Sequence, residues 1–148
     1  MDLREYVSKT EVSRVCQELG IRDWTALAEA EVTAEEAGII QAYVGSEAEL
    51  ISVDEFRRGL EVELEHGLVF PDANVTNNHP ILTGKIVLAH LKEMLDYYAR
   101  LEVAELEGDL LKASRAGDAE KLAKKYRLLV EARAELSAGE TSAGSEAD

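Results

Sequence analysis

The chain has 148 residues, 46% hydrophobic but only 5% aromatic, and sixteen Lys and Arg against thirty Asp and Glu give it a formal net charge of −14. A chain of this length buries roughly 68–70% of its unfolded surface as one domain. Its charge argues against nonspecific binding to phosphate backbones and favours cations or basic protein surfaces. The start "MDLREYVSKT" lacks a basic-then-apolar leader, no stretch approaches the ~20 apolar residues that span a bilayer, and Cys16 has no second cysteine to pair with. A soluble, cytoplasmic, membrane-free protein is the expectation.

Ala, Leu, Glu and Val dominate and β-branched residues rarely alternate, so an all-α fold with an aliphatic core is expected. Val12, Val15, Cys16 and Leu19 recur at steps of three and four, one face of a first helix, with Gly20 as its left-handed stop. Trp24 and Leu27 then anchor a short turn. Thr33 with Glu36 forms a capping-box pattern opening a second helix that ends before Gly45, with Ile39, Ile40, Tyr43 and Val44 on its buried side. Ser52 with Glu55 repeats the pattern and opens "VDEFRRGLEVELEHG", in which Val53, Phe56, Leu60 and Leu64 keep helical spacing and Gly67 marks the end.

Residues 68–79, "LVFPDANVTNNH", have no periodicity and read as a long loop. His79 suits a helix cap and Pro80 a first helical position. One helix is expected from 80 to 116, with Ile81, Leu88, Leu91, Leu95 and Tyr98 along one side and Gly84 as its weak point. Gly117 and Asp118 read as a stop and a new cap, so 119–136 folds back as an antiparallel hairpin, with Leu122, Tyr126, Leu129, Val130 and Leu136 facing the preceding helix. The acidic stretch 137–148, "SAGETSAGSEAD", has no large apolar residue and is expected to be disordered.

Two of the three histidines stand one helical turn from a glutamate, in mirrored order: Glu63 then His66, and His90 then Glu93. Residues three apart share a helix face, so each pair converges. Antiparallel packing of the two helices sets His66 opposite His90, with Glu63 near Glu93 about 4.5 Å further along. Two imidazoles and two carboxylates suit zinc, iron or manganese, and Glu63, His66, His90 and Glu93 are the candidate metal ligands. The competing structural account is a hydrogen-bonded cluster: His66 favoured by the helix dipole, Glu63 paired with Lys85 or Tyr97, and His90 satisfied in the core. Tyr97 and Tyr98 read first as a core aromatic pair. An open metal position would also activate water, with Glu65 as the spare carboxylate.

The segments "FRRGLEVELEHG", "NVTNNHPILTGKIVLAHLKE" and "DYYARLE" resemble a small helical family of bacteria and phages, the domain of unknown function 5661, over about residues 53–102. The family pattern falls here on Gly59, Glu63, His66, Gly67, Asn74, Asn77, Thr83, Gly84, His90 and Glu93 among others, and the chain departs from it at "NNHP", where acidic residues usually precede the proline. The resemblance implies no activity, and through its phage members it allows a structural or accessory role.

The organisation expected is an N-terminal helical extension at 1–50, a core at 51–102, a hairpin arm at 103–136 and a tail at 137–148. The leading functional expectation is a metal-binding helical domain. Its alternative is a non-catalytic interaction or assembly subunit, homo-oligomeric or bound to a protein partner, in which the Glu and His cluster only supports the fold.

Overall fold

The computed structural model describes residues 7–145, which are helices, two short 3₁₀ turns and connecting loops. The all-α expectation holds. The chain divides into two compact units, one ending at Leu95 and the other beginning at Asp96.

In the first unit α1 spans Lys9–Leu19, α2 Ala34–Val44, α3 Val53–Val69 and α4 Pro80–Glu93. Ser8 caps α1 by accepting from the Glu11 N–H, and Gly20, at φ 69°, supplies the left-handed stop expected of it. Asp23 ties the Trp24 turn to α1, accepting from the Thr25 N–H at 3.0 Å and from the Ser13 hydroxyl at 2.8 Å. The Gln41 amide donates to the carbonyls of Ala48 and Ile51 at 2.7 and 2.9 Å, which fixes the link from α2 to α3. Helices α2, α3 and α4 pack on one another. Their shared core holds Ile40, Phe56, Leu60, Leu64, Val87 and Leu91, while Val12, Cys16 and Trp24 are buried around α1. Burial holds the Cys16 thiol above its ordinary pKa. Gly84 is a contact point and no weakness: a Cβ there would lie 2.7 Å from Val44 Cγ2 and 2.8 Å from Ile40 Cγ2, so the bare backbone lets α4 approach α2.

Three expectations are corrected in this unit. Tyr43 is 66% exposed, leaving Ile40 as the fully buried residue of its quartet. Gly67 does not end α3, which continues to Val69. The single helix of 80–116 is two helices, because Met94 is extended at φ −151° and ψ 128° and a new N-cap, Asp96, follows. Aspartate is a poor interior helix residue. Here its carboxylate accepts from Arg100 Nη2 at 2.6 Å, one turn into the new helix. Leu95, expected in a buried stripe, is therefore in the break and 68% exposed.

The second unit is a helical hairpin of α5, Tyr97–Ala116, and α6, Ala119–Ser145. Gly117, at φ 67°, ends α5, and Asp118 caps α6 by accepting from the Lys121 N–H at 2.9 Å. Its core is a 3,4-spaced seam: Leu106 and Ala113 with partly buried Val103 and Leu110 on α5, against Leu129 and Ala132 on α6. Arg100 to Glu140 at 2.7 Å, Glu107 to Arg133 at 2.5 Å and Asp109 to Lys125 at 2.6 Å cross between the helices and set their register. Because Lys125 takes the seam position, Tyr126 and Val130 are turned away, at 60% and 51% exposed, instead of facing α5. Residues 137–145, expected to lack order, continue α6, since extending an existing helix needs no new nucleus. The remainder of that stretch, 146–148, lies outside the described residues.

Glu36 shows how firmly the first unit is tied. Its carboxylate completes the capping box of α2, accepting from the Thr33 N–H at 3.0 Å, and also takes Arg22 Nε at 2.9 Å and Nη2 at 2.6 Å. Burial pushes its pKa up, but Arg22 and the backbone N–H groups outweigh that and hold it at about 2. A carboxyl whose folded pKa is depressed stabilises fully above its unfolded value and loses that contribution as pH falls through the folded one. Glu36→Gln should therefore lower stability at pH 7 by on the order of 3 kcal/mol. Urea melts across the acid range should also show a flatter fall for the variant between pH 4.5 and about 2.

Candidate functional site

The C-terminal half of α3, the ten-residue connection 70–79 and α4 converge on Glu63. This connection is not extended. Phe70 N–H donates to the His66 carbonyl at 2.9 Å, Ala73 N–H to Phe70 at 2.9 Å and His79 N–H to Thr76 at 3.0 Å, giving consecutive turns. Asn77 and Asn78 sit at positive φ, 49° and 60°, a region that asparagine tolerates better than most residues. The Asn74 amide donates to the Gly67 carbonyl at 3.1 Å and to Asn78 Oδ1 at 2.8 Å. A Cβ on Gly67 would lie 1.9 Å from Asn78 Oδ1, so Gly67 serves as the seat of Asn78. His79 caps α4 as expected, its Nδ1 accepting from the Leu82 N–H at 3.4 Å. Burial holds its pKa down, which favours the neutral ring that this cap requires.

Compaction of the loop slides α4 by about one turn relative to the register expected from the sequence. His90 stands opposite Glu63, its Nδ1 3.2 Å from Oε1, while the other carboxylate oxygen is 3.8 Å from Nδ1 of His66. The Glu63 side chain is only 15% exposed, against 30% for His90 and 48% for His66. Three of the four candidate ligands are therefore brought together, with the carboxylate between the imidazoles. Glu93 is not among them. It is exposed at the last residue of α4, and among the described residues no hydrogen bond or ion pair joins it to the other three. Glu65 is likewise exposed. Among the described residues no group of three or more His, Cys, Asp or Glu side chains is arranged as it stands to hold a metal ion. Tyr97 and Tyr98, in the second unit, form an edge-on pair with centroids 5.2 Å apart.

Glu63 and His66 border a pocket of about 200 Å³ whose other walls include Asn74, Thr76 and Thr83 on the polar side and Phe70, Val75 and Ile86 on the apolar side. Drug-sized ligands and larger cofactors occupy roughly 300–1,000 Å³. This pocket suits a hydrated ion or a small polar molecule. On the other side of the asparagine cluster a second cavity, about 180 Å³, is bordered by Trp24, Gly67 and Asn78. The Trp24 indole N–H is buried and pairs with no group among the described residues. Sequence reasoning named the titratable members of the site but missed Gly67 and Asn78 as a pair. The signal was the asparagine-rich run itself, a composition suited to left-handed turns.

The chain matches the family described as a protein of unknown function, DUF5661, over residues 12–107, and it belongs to that family. This match reaches well beyond the 53–102 segment and takes in α1, α2 and the Glu36 network, so most of the N-terminal fifty residues are part of the family domain and not an addition to it. No curated protein and no solved structure matches the chain.

Replacing Gly67 with Ala should displace Asn78 and loosen the whole connection, outweighing the gain in helix propensity of about 1 kcal/mol. A melt showing a net loss of about 1–3 kcal/mol, with faster amide exchange across residues 70–79, is the expected result.

Proposed function

We propose that this DUF5661 member is a metal-binding helical domain in which Glu63, His66 and His90 hold a divalent transition ion such as zinc, iron or manganese at the edge of the α3–α4 pocket. The observation that carries the reading is a largely buried carboxylate set between imidazoles from two helices, at 3.2 and 3.8 Å. Donors around zinc sit about 2.0–2.2 Å from the ion, so neighbouring donors of a tetrahedral set are about 3.3 Å apart. The His90 contact already has that spacing, and the half-exposed His66 ring has room to close the remainder. The donor chemistry also fits: a carboxylate poor in solvent gains from a cation, and the chain's −14 charge draws cations in. Glu93 is left out of this set, and water would take the fourth position.

An assembly role, in which the Glu63 cluster only supports the fold, needs a contact surface elsewhere, and the α5–α6 hairpin has exposed apolar side chains to offer.

Metal content decides the first reading. Purified protein dialysed against zinc or manganese should retain about one ion per chain and melt higher, by about 2.7 kcal/mol at a hundredfold excess over the dissociation constant, with the gain reversed by chelator. Glu63→Gln should abolish retention. Protein that stays metal-free, with a melt indifferent to both metal and chelator, rules the proposal out. His90→Ala should destabilise in either case, so stability alone does not discriminate.

A further inference from the structure

Gly67 and Asn74 border two cavities, and only one of these reaches Glu63. The other, about 180 Å³, lies where the first turn of α1, the Trp24 turn, the end of α3 and the connection 70–79 meet. The Asn77 amide, on its border, donates to the Val7 carbonyl and ties the approach to α1 onto the connection. Because α1 begins here and α3 ends here, helix dipoles of opposite sense roughly offset, and the character of the cavity is decided by its side chains.

Three of those side chains keep a donor that pairs with no group among the described residues. Trp24 is fully buried and its indole N–H has no acceptor. Asn78, 6% exposed, accepts from Asn74 through Oδ1, while its own Nδ2 donates to nothing. Lys9, the exposed first residue of α1, makes no ion pair. The Asn74 amide adds no further donor, since it is spent on Gly67 and Asn78. No residue bordering the cavity is acidic, in a chain with thirty Asp and Glu.

A buried N–H that meets no protein acceptor is satisfied by water or by a ligand. Water brings hydrogens that need acceptors of their own, whereas a carboxylate brings only lone pairs, which is what leftover donors require. At roughly 30 Å³ per water, the space takes several waters or one short carboxylate.

We infer that this cavity is a binding site for a small carboxylate, whose oxygens accept from the Trp24 indole and the Asn78 amide while the Lys9 ammonium balances its charge at the exposed edge. One ammonium in a chain of net charge −14 suits a single negative charge better than the double charge of phosphate. The inference goes beyond the metal reading and does not rest on it, because Glu63 does not border this cavity.

Trp24 is the chain's one tryptophan, so the full-length protein gives a single indole N–H signal in proton–nitrogen NMR spectra. Acetate titrated at pH 7, with ionic strength held constant by chloride, should move that signal downfield to saturation and slow its exchange with solvent. Lys9→Glu places an acidic residue in the first turn of a helix, where the dipole favours it, so the fold is kept. This variant should bind acetate roughly tenfold more weakly at unchanged helicity. Trp24→Phe removes the buried donor and should abolish the rise in melting temperature that acetate gives the parent chain. An indole signal that ignores acetate, follows chloride equally or responds undiminished in Lys9→Glu overturns the site. A response to inorganic phosphate but not to acetate overturns the carboxylate assignment.

Discussion

No side chain fits on residue 67, because the space it would fill is held by the Asn78 amide. From that one close approach follows the path of the first unit. Asn78 is drawn onto α3, Asn74 bridges the two, and the ten residues between the helices are wound into turns instead of spanning the gap. His79 then has the position to cap α4, and α4 runs back along α3 at a level where His90 meets Glu63. Shift that level by one turn and the carboxylate would face a different partner. The chemistry of the candidate site is thus decided by an asparagine that never touches it.

The parts of this structure readable from sequence are those in which a few neighbouring residues settle the outcome. Thr33 with Glu36, Ser52 before Glu55, the left-handed Gly20 and Gly117, and Asp118 as a cap all act within one turn of the backbone they satisfy. What periodicity could not supply was helix phase and relative level. Nothing in the stripe through Leu91, Leu95 and Tyr98 marks the break at Met94, because the apolar spacing carries across it while the backbone does not. On α6, Tyr126 and Val130 look as suited to the interior as Leu122 and Leu129. Lys125 settles the phase, since its bond to Asp109 puts a charged residue on the seam and rotates two large apolar groups outward. The same limit governs the site: convergence of Glu63 with His66 was legible as helix spacing, whereas the exclusion of Glu93 depended on loop compaction, a tertiary quantity.

Two carboxylates in the first unit are withdrawn from water by different means. Glu36 is enclosed by donors that do not titrate, an arginine and backbone N–H groups, and its charge is built in over the whole physiological range. Glu63 faces imidazoles from two helices, a side-chain type that also binds metals. The first arrangement gains only from permanence. The second leaves both of its rings in contact with solvent at the edge of the pocket.

The buried Cys16 turns α1 into its own reporter. With the sulfur almost wholly covered and its thiolate disfavoured, alkylating reagents reach it only when this corner of the molecule breathes open. The labelling rate of that one atom therefore clocks local opening around the Trp24 turn without any introduced probe. Set beside the rate of global unfolding, it tells whether the N-terminal helix detaches by itself or only when everything else comes apart.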